Sequence, residues 1–128
     1  MKLPPALLGL ALAGCPAQPP QLADANRVAT GELVYQKCYS CHALEPGRND
    51  LTGPTLNRIV GRSIAAEQGF DYSPAMRRFA GREPRWTRAL IDRFAADPEA
   101  LVPGTSMAFH GIRDPAERAA LIAYLEQR

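Results

Sequence analysis

The chain has 128 residues, with 15 lysines and arginines against 13 aspartates and glutamates and a formal net charge of +2. That length supports one small domain with a limited core. So balanced a charge excludes the strongly basic surface of a nucleic-acid-binding protein, and no apolar run is long enough to span a bilayer as a helix.

Met1-Lys2 precedes an apolar stretch, Leu3 to Ala13, broken by Pro4 and Pro5. It fits the core of a signal peptide over residues 1–14. The stretch ends in Leu12-Ala13-Gly14-Cys15, which resembles the lipobox of bacterial lipoproteins. That resemblance implies cleavage before Cys15, lipid on its thiol and a membrane anchor; plain secretion with Cys15 as a spare thiol is the alternative. Residues 15–26 are proline-rich and read as an extended linker. At ~3.1 Å per residue it would hold a domain about 35 Å from the surface. The remaining residues, 27–128, read as one all-α domain without internal repeats.

A first helix is expected from about Asn26 to Cys41, turning Val28, Leu33, Val34 and Tyr35 inward. It leads into Cys38-Tyr39-Ser40-Cys41-His42. Two thiols three residues apart, followed directly by histidine, form the attachment signature of c-type haem. Each thiol can add to one vinyl group, and the histidine then falls on the iron. A thioredoxin-type site would need a βαβ context, and no parallel-strand pattern is present. A structural zinc would need four ligands. With Cys15 assigned elsewhere, only Cys38, Cys41, His42 and His110 remain, without a second ligand pair at zinc spacing. A disulfide alone leaves His42 unexplained. Haem iron brings one-electron chemistry that no side chain supplies.

A long loop, Ala43 to Thr52, turns at Pro46-Gly47, and Thr55 to Val60 is expected as a short helix before Gly61. Ser73-Pro74 starts a helix ending near Phe79, with a capping serine and proline at the first position; Met76 within it reads as packing. Thr87 to Asp97 forms the next helix, with Leu90, Ile91 and Phe94 on one face, and Pro98 stops it. Arg77, Arg78, Arg82, Arg85, Arg88 and Arg93 cluster over these two segments. They form a solvated surface, or one that orients an acidic partner or anionic lipid. Pro103-Gly104 marks a turn leading to Met107. Beside a haem signature, a methionine on such a loop is the leading candidate for the second axial ligand, with His110 as the alternative. A thioether in that position favours Fe(II) and raises the reduction potential relative to two nitrogen ligands. Asp114-Pro115-Ala116-Glu117 opens the last helix with cap, proline and acid in order, and Leu121, Tyr124 and Leu125 form its buried stripe.

From residue 31 onward the chain resembles class I cytochrome c, near the mitochondrial cytochrome c and bacterial cytochrome c2 type. Gly31 and Tyr35 match that family's glycine and aromatic before the first cysteine. Gly53-Pro54-Thr55-Leu56 resembles the segment whose proline carbonyl accepts the N–H of the ligand histidine. Gly61-Arg62, Tyr72 and Trp86 resemble the residues around the haem propionates. Pro103 to Met107 resembles the methionine-ligand loop, with Phe109 at the haem edge, and Leu121 and Tyr124 the helix face that crosses the first helix at its glycine. The resemblance implies about four to five helices wrapped around one covalently bound haem c, held by His42 and Met107. It also implies a monomeric electron carrier, not an enzyme, on the exported side of a bacterial membrane, exchanging electrons with redox partner proteins. The rival readings are a subunit fixed to a membrane oxidase or dehydrogenase, and a peroxide- or gas-reactive haem protein with Met107 displaced.

Several positions depart from the mitochondrial pattern. Phe94 stands where a tyrosine usually donates to the methionine sulfur, Met76 near an asparagine position, and Ser106 in place of a lysine. Lys2 and Lys37 are the chain's only lysines. A chain this small, enclosing so large an apolar group, should fold poorly without it.

Overall fold

Prolines and capping side chains set the helix boundaries in the computed structural model, which describes Gly14 and residues 17–128. The elements are α1 (Pro20–Tyr35), α2 (Pro74–Ala80), α3 (Arg88–Ala96), α4 (Pro98–Leu101) and α5 (Pro115–Leu125). Proline opens α1, α2, α4 and α5, where its missing N–H goes unmissed. Ser73 accepts from Met76 N at 3.1 Å, Thr87 from Leu90 N at 3.1 Å, Asp97 from Ala100 N at 3.0 Å and Asp114 from Ala116 N at 2.8 Å. Each cap satisfies one of the orphan donors of a helix start. Among the described residues the only β-type pairing is a single antiparallel bridge between Ser63 and Arg85, so the domain is all-α.

Helices α1 and α5 cross at Gly31. A Cβ there would collide with the Ala120 carbonyl oxygen and lie 2.6 Å from Tyr124 Cβ, so glycine is what permits the approach. Beside the crossing, the Tyr35 and Tyr124 rings pack at 5.7 Å, and Lys37 pairs with Glu117 at 2.5 Å. The core continues through Val34, Leu121 and Leu125 to Met76 and Phe79 of α2 and Leu90 and Ile91 of α3.

Helix α1 differs from its expected span at both ends. It begins at Pro20, so the second half of the proline-rich stretch is helical, not extended: Pro20 takes the first helical position and Gln21-Leu22-Ala23 follow with good helix formers. The helix stops at Tyr35, and the chain tightens into successive turns through Gln36 N to Leu33 O (3.2 Å), Lys37 N to Val34 O (3.0 Å) and Cys38 N to Tyr35 O (2.7 Å). Leu33, expected to point inward, is 73 % exposed, whereas Val34 and Tyr35 are buried and Val28 packs against the core edge.

Residues 55–60 form turns instead of a helix. Arg62 takes the carbonyls of Thr55 and Asn57 at 2.8 Å each, removing acceptors a helix would use, and Arg58 sits at φ +50°, outside the helical region. Pro98 does more than end α3: with Asp97 as cap it starts α4.

The segment bearing Met107 is fastened at both ends. Gly104 N donates to Glu99 Oε1 at 2.9 Å and Thr105 N to Val102 O at 3.0 Å. At the far end Ile112 N reaches Ala95 O of α3 at 2.8 Å. Arg118 of α5 grips the Ile112 and Arg113 carbonyls at 2.9 Å each and Asp92 Oδ1 at 2.7 Å.

Candidate haem-binding site

Residues from the segments 37–73 and 105–112, Trp86 and helices α2, α3 and α5 line a cleft of about 310 Å³. Its lining includes Cys38, Cys41, His42, Pro54, Arg62, Tyr72, Trp86, Met107 and Phe109. These residues lie up to 71 positions apart in the chain (109 − 38), and the fold brings them to one chamber. Met76 and Phe94 also line it. His110 is exposed and does not. None of Arg77, Arg78, Arg82, Arg85, Arg88 and Arg93 lines the cavity; Arg77 pairs with Asp71 at 2.8 Å and Arg88 with Glu126 at 2.5 Å. Cys15 and residues 1–13 lie outside the described residues.

The turn that ends α1 delivers the two cysteines and the histidine. Cys41 N and His42 N both reach Cys38 O at 3.0 Å, and Gly53 N clamps the Cys41 carbonyl at 2.7 Å. The Cys38 and Cys41 thiols are free. Burial pushes the Cys38 thiol up to about 11, against the pull of nearby Lys37, so at neutral pH it is a protonated thiol.

His42 is nearly buried, and its Nδ1 lies 2.7 Å from the Pro54 carbonyl oxygen. A carbonyl only accepts, so Nδ1 carries the proton and Nε2 keeps its lone pair. Burial lowers the His42 pKa and the Arg62 charge lowers it further, against the Pro54 bond, so the ring is neutral at pH 7. Gly53 presses on the same ring: a Cβ there would lie 2.6 Å from Nδ1, which requires glycine beside Pro54. The result is an imidazole oriented from behind with one nitrogen available to a metal, the arrangement that raises ligand basicity.

Trp86 is wedged between Phe79 at 6.2 Å and Phe94 at 5.2 Å between ring centroids. Its backbone exchanges hydrogen bonds with the Gly61-Arg62 turn, Gly61 N to Trp86 O at 2.7 Å and Trp86 N to Arg62 O at 2.9 Å. Burial raises the Tyr72 pKa, so its hydroxyl stays protonated; it accepts from Glu67 N at 3.3 Å and retains its own proton for donation. Arg62 is largely enclosed, and its Nε is the one buried side-chain nitrogen or oxygen among the described residues that lacks a partner.

These residues fit a haem. Among the described residues no group of three or more His, Cys, Asp or Glu side chains is placed to hold a bare ion. The chamber instead offers one neutral imidazole nitrogen, thioether sulfur, two thiols and apolar walls, which suits an iron already held in a macrocycle. Arg62 is also among the lining residues and brings the positive charge that suits a propionate. Sequence spacing did not point to Asn49 or Glu67. Asn49 accepts from Thr55 N at 2.9 Å and donates to Glu67 Oε1 at 3.1 Å; the second contact spans 18 residues, beyond any local pattern.

The Cytochrome c family matches residues 28–128. The chain is 37 % identical over 105 residues to cytochrome c2 of Blastochloris viridis, covering 82 % of this chain and 80 % of that one. It is 39 % identical over 98 residues to cytochrome c2 of Agrobacterium tumefaciens, covering 77 % and 88 %. Among solved structures, cytochrome cH from Methylobacterium extorquens superposes with a TM-score of 0.71 at 33 % identity, over 79 % of this chain and 98 % of that one. Cytochrome c2 from Rhodospirillum centenum gives 0.72 at 28 % identity, over 78 % and 96 %. The helical fold around one apolar chamber, the Cys38–His42 motif and these relatives agree: the chain belongs to the cytochrome c family, as a class I c-type cytochrome that binds one covalently attached haem c and carries electrons without being an enzyme.

Proposed function

We propose that Cys38 and Cys41 hold the haem through thioether bonds, that His42 Nε2 and Met107 sulfur are its axial ligands, and that the protein serves a periplasmic or membrane-associated electron-transfer chain. The haem supplies a one-electron iron couple. Pro54 fixes the His42 tautomer. Arg62, Tyr72 and Trp86 bind the propionates, and Phe109 covers the haem edge. As a thioether in place of a second nitrogen, Met107 would favour Fe(II), raise the reduction potential and leave no open site on the iron for oxygen. Redox proteins on either side of the chain are the partners, met by the domain as a monomer. The relatives named cytochrome c2 support export to the periplasm, and Cys15 is proposed as the lipid attachment point. Among the described residues no helix is long and apolar enough to cross a membrane.

The observation that carries this reading is the placement of both thiols, the oriented imidazole and Met107 on one largely apolar chamber. Met107→Ala tests it. The variant should retain covalent haem, lose the thioether-to-iron absorption band of the oxidised protein and bind carbon monoxide when reduced. Its reduction potential should fall by on the order of 0.1 V, a fraction of the roughly 0.8 V range that axial ligands command. An unchanged band and potential would assign the sixth position to another residue.

A further inference from the structure

Arg62 has a second acid beside it, one that belongs to the protein itself. Its Nη1 lies 3.5 Å from Glu67 Oε2, with side-chain exposures of 16 % for Arg62 and 19 % for Glu67. The same guanidinium is fixed by the carbonyls of Asn57 and Thr55 at 2.8 Å each, so it cannot swing out to solvent, and its Nε remains without an acceptor. Glu67 is held too. Its Oε1 accepts from Asn49 Nδ2 at 3.1 Å, and its backbone N donates to Tyr72 Oη at 3.3 Å. Asn49 is in turn fixed by Thr55 N and by donating to the Gln68 carbonyl at 2.8 Å. Arg62 and Tyr72 both line the haem chamber, whereas Glu67 does not; it stands behind them.

We propose that Glu67 is a potential-setting residue, a fixed negative charge that competes with a haem propionate for Arg62 and holds the reduction potential down. The proposal rests on the reading that Arg62 faces a propionate. A carboxylate kept near the redox centre favours the form with one more positive charge, the oxidised one. It also takes up part of the Arg62 charge, so the guanidinium neutralises the propionate less completely, which acts in the same direction. The pair is largely enclosed, so salt screens it far less than a surface pair. A fully solvated pair would contribute little.

The test is potentiometric titration of the haem-loaded protein at neutral pH. Glu67→Gln should raise the potential by the equivalent of a three- to tenfold change in the redox equilibrium, tenfold being about 59 mV for a one-electron couple. The shift should persist at high ionic strength. Glu67→Asp, which keeps the charge, should stay near the parent value, and Glu67→Thr, which lacks it and packs differently, should repeat the rise. The optical spectrum and its methionine band should not change, which a general loosening of the chamber would not allow. Arg62→Gln should lower the potential. An unmoved potential in Glu67→Gln and Glu67→Thr beside a lowered one in Arg62→Gln would overturn the role of Glu67 alone. An unmoved potential in Arg62→Gln would remove the propionate contact, and the shared clamp with it.

Discussion

Tyr35 joins the first helix to the ligand-bearing turn through one atom: its hydroxyl donates to the His42 carbonyl oxygen at 2.6 Å in a buried setting. Tyr35→Phe removes the donor, leaves that carbonyl unpaired and keeps the ring, so it should destabilise the protein by about 1 kcal/mol. The change also has a pH signature. Burial raises the Tyr35 pKa above its ordinary value of 10.0. A group with a raised folded-state value contributes stability in full below its unfolded value and loses it as pH climbs through the folded one. The parent protein should therefore lose this contribution above pH 10.0, and the difference between parent and Tyr35→Phe should shrink there. Denaturant melts of both proteins at neutral and alkaline pH read it directly. At this scale Cys38, Cys41 and His42 were legible because covalent attachment demands a fixed spacing in the chain. Asn49, Glu67 and the contact of Gly53 with the imidazole were not, because each depends on how two loops meet.

The crossing of α1 and α5 sets two terms of opposite sign at Gly31. Alanine would favour the helix by up to about 1 kcal/mol. Its Cβ would also meet the Ala120 carbonyl and the Tyr124 Cβ, atoms fixed by the α5 backbone that cannot give way cheaply, and overpacking of that kind typically costs about 1–3 kcal/mol. Gly31→Ala should therefore be net destabilising, checked as a lower denaturant midpoint with an unchanged haem spectrum in the folded protein. The helix starts at Ser73, Thr87 and Asp114 could be read from sequence because the cap is a local contact. The other boundaries yielded to contacts made elsewhere. Residues 55–60 looked helical until Arg62 claimed their carbonyls, and α1 ended early where its turns tightened to present the cysteines.

For the molecule as a whole, the proposed attachment to a membrane should be separable from electron carriage. Cys15, the proposed lipid attachment point, lies outside the described residues, and the residues that line the chamber begin at Lys37. Stable anchoring takes more than one acyl chain, at about 0.8 kcal/mol per buried methylene, so losing the thiol should be decisive. Cys15→Ser should move the protein from the membrane fraction to the soluble one while leaving its haem spectrum intact. Retention of Cys15→Ser on membranes would rule out a lipid on that residue.

The span from Val102 to Arg113 hangs between two abutments. One is the short α4 turn with its Glu99 bond, and the other is the Ala95 and Arg118 grip at the junction of α3 and α5. Met107 sits mid-span. Detaching one abutment leaves the other holding, and the second is built from the same helices that close the core. Withdrawing Met107, the proposed ligand, would have to strain or break one of these anchorages, so its departure should accompany a wider opening of the span than the motion of a single loop tip.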